Sequence, residues 1–206
     1  MGREQAVTTV DLLRHGEVEG GSRYRGQIDD PLSEQGWRQM RSAVGERSPW
    51  ERILTSPLSR CRAFAAELSQ RGQLPIEELP DFMEISFGEW EGKSAAELIE
   101  SDSALLYRFW SDPLNNTPPG AETLADFQQR VAGQWGLMVE RFRGEHLLVV
   151  AHAGVIRMIL SHILGMPTER MFRIHIPNAG ISRIQIDHFD GGELPRLLFH
   201  AGKLEE

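Results

Sequence analysis

Residues 7–16 read VTTVDLLRHG, an apolar and β-branched run that stops at Arg14, His15 and Gly16. The composition of the run predicts a buried β-strand, and its sudden end in charged and small residues is typical of a strand that enters a functional loop. Farther along, Ser33 is a suitable helix N-cap, and apolar residues follow it at helical spacing. The chain therefore begins with a strand, a loop and a helix.

Strands and helices are predicted to alternate along the rest of the chain. The predicted strands cover 52–55, 76–79 and 146–151, and the predicted helices start at Ser56, near Glu122 and at Val155. Alternation around 184–186, a turn at 190–192 and a return at 197–199 predict an antiparallel hairpin. We therefore expect an α/β fold: a three-layer sandwich with a mostly parallel central sheet, helices on both faces, and an antiparallel strand or hairpin at the edge.

The length of 206 residues suits one core, so we expect a single domain over 1–206. With 22 Lys and Arg against 30 Asp and Glu, the formal charge of −8 argues against nucleic-acid or anionic-membrane partners. Cys61 is the only cysteine, and the sequence contains neither a signal peptide nor an apolar run of about 20 residues. A cytoplasmic location is expected, as a monomer or a homodimer.

Three polar clusters are predicted at the ends of strands, and they cover 14–17, 56–60 and 152–154. In open α/β sheets ligands bind outside the carboxyl ends of the strands, where helix N-termini favour anions. Arginines and histidines from these clusters would meet there. That combination suits the spread negative charge of a phosphoryl group.

Other hydrolytic chemistries fit the sequence less well. Cys61 is not followed six positions later by a phosphate-binding arginine, because Glu67 stands there, so a buried thiol is the better interpretation. No helical His-Glu-x-x-His pair, no Asp/His cluster at ligand spacing and no glycine loop with lysine is present. We expect neither a metal nor another cofactor.

The sequence also resembles the histidine phosphatase superfamily in several ordered segments. These are LLRHGE at 12–17, GQIDDPLSEQG at 26–36, TSPLSR at 55–60, the segment 84–92, PGAE at 119–122 and VAHAG at 150–154. The resemblance implies a phosphoric monoester hydrolase in which His15 is the nucleophile. It further implies that Arg14, Arg60 and His152 bind the phosphoryl oxygens, while Glu84 protonates the leaving group and later activates water.

One position departs from the superfamily pattern. Many relatives place asparagine six residues after the nucleophile, where this chain has Gly21. A backbone amide there, or the side chain of Ser22 or Arg25, is the expected replacement in the phosphate site. Glu122, in the matching PGAE segment, is also expected at the substrate.

The segments 20–33 and 87–91 resemble the α-ribazole phosphatases of cobalamin synthesis, which act on α-ribazole phosphate or the cobalamin phosphate precursor. Tyr24, Phe109, Trp110 and the loop 118–122 would then face a flat base. A broad-specificity small-molecule phosphatase remains an alternative. Less favoured are a phosphoglycerate mutase, which would need a longer insertion than 93–120 supplies, and a non-catalytic module that binds a phosphorylated ligand.

Overall fold

A computed structural model describes residues 6–202 and 204 of the chain. The strands in this range are β1 Val7–Arg14, β2 Arg52–Thr55, β3 Ile76–Glu78, β4 His146–Ala151, β5 Ile181–Phe189 and β6 Gly192–Gly202. The α-helices are α1 Glu34–Val44, α2 Ser59–Gly72, α3 Ala95–Ser111, α4 Leu124–Arg141 and α5 Ala153–Ile163. None of these helices combines the length and the apolar character needed to span a bilayer.

The six strands form one sheet in the order β3-β2-β4-β1-β5-β6. The first four run parallel, whereas β5 pairs antiparallel with β1 and β6 pairs antiparallel with β5. This arrangement confirms the predicted α/β fold with a mostly parallel sheet and an antiparallel hairpin at its edge. β4, the last parallel strand in the chain, lies between β1 and β2.

Apolar side chains cover both faces of the sheet, as a three-layer sandwich requires. Leu12 and Val149 belong to the core cluster shared with α4 and α5, whereas Leu13 and Val150 belong to the cluster shared with α1 and α2. Neighbouring residues of one strand point to opposite faces, so both β1 and β4 are buried on each side. The parallel strands consequently have little freedom to shift.

One carboxylate lies in this interior, on β1. Asp11 is fully buried and accepts hydrogen bonds from both Arg183 nitrogens (2.7 and 2.9 Å), from Trp50 Nε1 (2.8 Å) and from His146 Nε2 (3.0 Å). Burial acts to raise the pKa of Asp11, but these donors, Arg183 first, outweigh it and the pKa is lowered. The network ties β1 to β5 at a charge that would be costly if unpaired.

Two predictions about helices need correction. α2 begins at Ser59 after Leu58, and not at Ser56, whose hydroxyl has another partner described below. α3 was not predicted at all. Its backbone is interrupted at Asp102 (φ −157°, ψ 75°), and few of its side chains are buried, so the segment lacks a continuous apolar stripe.

Candidate active site

The sheet register brings the predicted strand-end residues together. Arg14 lies opposite Ala151 on β4, and Thr55 lies opposite Val150, so the next residue of each strand reaches the same edge of the sheet. The amide of His15 donates to Ala151 O, and the amide of Ser56 donates to Val150 O, both at 3.0 Å. The ends of β1, β2 and β4 therefore meet at one point, as the sequence predicted.

His15 lines a cavity of about 420 Å³ at this edge and is only 7% exposed. Its Nδ1 lies 2.7 Å from the carbonyl oxygen of Gly16. A carbonyl can only accept, so Nδ1 carries the proton and Nε2 keeps its lone pair. Burial first, then the cations Arg14 and Arg60, hold the pKa of His15 well below 6.5. The imidazole is thus neutral and has the tautomer of a nucleophile.

His152 lies directly behind His15, with ring centroids 5.3 Å apart at an interplanar angle of 63°. Its Nδ1 accepts from Arg60 Nε at 3.2 Å, so Nε2 carries the proton and donates to Ser56 Oγ at 2.7 Å. The ring is fully buried and does not form part of the cavity lining. The expected contact between His152 and a phosphoryl oxygen stays a prediction, whereas its contact with Arg60 is visible.

Two guanidinium groups are fixed at the cavity. Arg60 donates from its terminal nitrogens to Ile28 O (2.6 Å) and Gly26 O (2.8 Å), and Arg14 donates to Ile176 O (2.6 Å). Arg14 Nε is buried, with no hydrogen-bond partner among the described residues. An unpaired buried donor is costly, so this nitrogen is the least satisfied polar atom of the Arg14 side chain.

Glu84 reaches the same cavity from an irregular segment. Its Oε1 accepts from its neighbour Ile85 N, and its Oε2 accepts from Gly154 N in the first turn of α5, both at 3.0 Å. A Cβ at Gly154 would lie 2.2 Å from Glu84 Oε1. Glycine is therefore needed at 154 for the carboxylate to reach the helix N-terminus.

A second layer fixes the backbone of Glu84. Arg130 on α4 donates to the carbonyl oxygens of Asp81 (2.6 Å), Met83 (2.8 Å) and Glu84 (3.1 Å). The carboxylate of Glu122 accepts hydrogen bonds from two nitrogens of Arg130, at 2.6 and 2.9 Å. Glu122 does not line the cavity. The expectation that Glu122 binds substrate stays a prediction; the structure shows its carboxylate accepting hydrogen bonds from Arg130.

The loop after β1 supplies the other predicted phosphate contacts. Gly21, Ser22 and Arg25 all line the cavity. Arg25 pairs with Asp30 at 3.0 Å and donates to Gly21 O at 2.6 Å, so its side chain also fixes the loop. Which of the three replaces the usual asparagine stays a prediction.

The sequence analysis missed two polar residues of the lining, Arg157 and Asn178. Asn178 precedes β5, and the start of an antiparallel strand lies at the same edge as the ends of the parallel strands. Its neighbour Ala179 donates to His15 O at 3.3 Å, which fixes this loop beside the nucleophile. Arg157 lies three residues after Gly154 on α5, a spacing that shares a helix face. Both positions could have been found from these rules.

An aromatic wall, formed by Tyr24, Phe87, Trp110 and Phe172, closes one side of the cavity. The rings of Trp110 and Phe172 meet edge to face at 5.0 Å, and Trp110 Nε1 donates to Tyr24 Oη at 3.2 Å. Tyr24 and Trp110 were predicted near the leaving group. Phe109 was as well, but it is 3% exposed and packs behind the wall, and the loop 118–122 does not line the cavity.

Cys61 is fully buried, and its Sγ lies 3.4 Å from the carbonyl oxygen of Ala151. Burial raises the pKa of the thiol, which keeps it protonated and unreactive. Within 6–202 and 204, no group of three or more His, Cys, Asp or Glu side chains is arranged to hold a metal ion.

A neutral histidine set against fixed guanidinium groups at the ends of parallel strands is an arrangement suited to binding a phosphoryl group. Residues 10–196 match the family model described as histidine phosphatase superfamily (branch 1). The chain belongs to this superfamily.

Particular relatives extend the comparison. The chain is 32% identical over 208 residues to the Bifunctional protein Rv2228c of Mycobacterium tuberculosis, a match that covers 98% of this chain and 57% of that protein. It is 27% identical over 180 residues to the adenosylcobalamin/alpha-ribazole phosphatase of Escherichia coli, which covers 85% and 89%. The solved alpha-ribazole phosphatase of Shigella flexneri superposes with a TM-score of 0.78 at 25% identity, covering 96% and 99%. The chain thus spans little more than half of its mycobacterial relative.

Proposed function

We propose that this chain is a metal-independent phosphomonoesterase that forms a phosphohistidine on His15. The observation that carries the proposal is a neutral His15, fixed through Nδ1, in a cavity with two anchored guanidinium groups. One of those groups has a buried N–H without a partner among the described residues. We also propose that residues 1–206 form a single domain with a small-molecule phosphate ester as its partner.

In the first step, the lone pair of His15 Nε2 attacks phosphorus and the bond to the ester oxygen breaks. Glu84 in its protonated form gives its proton to that oxygen, so the leaving group departs as a neutral alcohol. Arg14 and Arg60 stabilise the transferring oxygens without reorganising, because carbonyl contacts already hold them.

In the second step, Glu84 as a carboxylate removes a proton from water, and the water oxygen attacks phosphorus. The P–N bond breaks, phosphate leaves and His15 returns to its neutral form. Splitting the transfer in this way needs a nucleophile that is also a fair leaving group, which imidazole is. His152 supports both steps by holding Arg60 and packing against His15, and we propose that it also binds a phosphoryl oxygen.

Hydrolysis of an aryl phosphate in EDTA tests the mechanism. His15→Ala should lower the rate by about three orders of magnitude or more. His162→Ala is the matched control, because His162 is exposed and does not line the cavity. An acid-labile, alkali-stable phosphoryl label should appear in quenched wild-type protein and not in His15→Ala. Normal turnover by His15→Ala would overturn the mechanism.

For the substrate, we propose α-ribazole phosphate or the cobalamin phosphate precursor. The aromatic wall supports this proposal because it offers ring faces and edges for a flat base, and a relative in Escherichia coli is named adenosylcobalamin/alpha-ribazole phosphatase. The test compares kcat/KM across α-ribazole phosphate, sugar phosphates and phosphoglycerates. A flat profile would favour the broad-specificity alternative, isomerisation of phosphoglycerate would indicate a mutase, and binding without turnover would indicate a non-catalytic module.

A further inference from the structure

The lining of the cavity includes a guanidinium group to which the mechanism gives no task. Arg157 on α5 is partly buried, and its Nε donates to Ile174 O at 2.8 Å. Its guanidinium carbon lies 6.0 Å from the centre of the Phe172 ring, which belongs to the aromatic wall. No hydrogen bond or ion pair joins its two terminal nitrogens to any described residue.

The other arginines of the lining differ from Arg157. Arg14 and Arg60 hold the phosphoryl site, Arg25 is paired with Asp30, and Arg23 is exposed at the rim. Arg157 alone, within the described part of the lining, combines partial burial with terminal donors that have no protein acceptor. Its anchor at Ile174 fixes the direction of the side chain, so these donors are set in place before a ligand arrives.

The balance of charge also points to an anion. A phosphoryl dianion is matched by Arg14 and Arg60, and Glu84 carries no charge while it acts as the acid in the first step. Arg157 then remains without a counter-ion. Burial lowers the pKa of Arg157, and charged Glu84 only partly opposes this, but a guanidinium group loses its proton so reluctantly that Arg157 stays cationic in either state of Glu84.

We propose that Arg157 is a specificity-determining residue that binds a second anionic group on the leaving side of the substrate. The site therefore selects phosphate monoesters whose alcohol carries a carboxylate or a second phosphate group. The inference rests on the proposed function and narrows it.

The preference for an anionic leaving group is tested with 3-phosphoglycerate and glycerol 3-phosphate. These two esters share a carbon skeleton, and they differ in that the first has a carboxylate where the second has a hydroxymethyl group. Arg157→Gln should lower the ratio of their kcat/KM values by about 10- to 100-fold, the range for a charge-assisted hydrogen bond. The loss should appear mainly as a higher KM for 3-phosphoglycerate, and kcat/KM should fall less for glycerol 3-phosphate than for 3-phosphoglycerate. Arg157→Lys keeps the charge and should keep part of the preference.

Arg173→Gln is the matched control, since Arg173 is exposed beside Ile174 and does not line the cavity. An unchanged ratio in Arg157→Gln would overturn the inference. So would an equal loss for both esters with a shifted pH profile, which would show that Arg157 acts through Glu84. Calorimetry can measure the binding of both esters to His15→Ala, with and without Arg157→Gln, in the absence of turnover. The ratio of the two affinities then tests the role of Arg157 even if the proposed chemistry of His15 fails.

Discussion

Replacing Gly154 with alanine should disable the proposed acid without unfolding the protein. The added Cβ would lie 2.2 Å from Glu84 Oε1, although real Cβ atoms essentially never show contacts under 3.0 Å, so the carboxylate must move by about 1 Å. A misplacement of about 1 Å can cost about 100-fold in rate. The clash is with the end of a flexible side chain, and alanine favours a helix by up to about 1 kcal/mol over glycine, so stability should change little.

The assay compares two leaving groups under kcat/KM conditions, which report the first irreversible step. Phenyl phosphate has a poor leaving group and needs the acid, so Gly154→Ala should reduce its kcat/KM about 100-fold. Dinitrophenyl phosphate needs little protonation and should be almost unaffected. Adding Gly154→Ala to Glu84→Ala should have no further effect, because both changes remove the same function.

Two results would refute this reasoning. An unchanged kcat/KM for phenyl phosphate would mean that Glu84 need not sit on the α5 N-terminus. An equal loss for both esters would mean that the methyl group blocks the cavity rather than moving the acid. Thermal denaturation of each variant confirms that the folded protein is being compared.

Four further outcomes are expected. Because the pKa of His15 is depressed in the folded state, a pH–rate profile of kcat/KM should show no acid limb near pH 6.5. The free energy of unfolding should fall as the pH drops below 6.5, because the histidine of the unfolded chain gains a proton first, and thermal melts at several pH values measure this. Glu122→Gln should weaken the ion pair with Arg130 and lower the free energy of unfolding, measured by denaturant titration, by about 1.5–3 kcal/mol. It should also lower kcat at unchanged KM, whereas a rise in KM alone would indicate that Glu122 binds substrate. Asp11→Asn should cost about 1.5–3 kcal/mol, because the buried carboxylate that accepts from Arg183, Trp50 and His146 becomes an amide that accepts fewer hydrogen bonds, and a change under about 0.5 kcal/mol in urea unfolding would contradict this. Cys61 should resist a thiol reagent until the chain is denatured, and rapid labelling of native protein would show that it is accessible.

The sequence predicted the features that local patterning controls. β2 and β4 were placed at their observed bounds, because short apolar runs between turn residues leave little choice. The meeting of His15, Arg60 and His152 followed from one general rule about the ends of parallel strands. Local patterns and a topological rule thus sufficed for the centre of the site.

Features set by long-range contacts were not predictable in the same way. Nothing in the surroundings of Glu122 shows that its partner is Arg130, eight residues onward, rather than a ligand. Ser56 has the ideal composition of a helix cap, yet its hydroxyl accepts from His152, and the helix starts later. In both cases a side chain with several suitable partners takes the one that the folded chain brings beside it.

The position of β4 between β1 and β2 has a consequence for synthesis of the chain. A nascent chain that stops before residue 146 leaves a gap where the middle strand should lie, so the first two parallel strands have no shared neighbour. Such fragments lack the assembled site of the proposed mechanism, even though they contain His15 and Arg60. Turnover would then count only molecules in which β4 has inserted between β1 and β2. The rate of turnover after refolding would therefore measure the refolding yield without a spectroscopic probe.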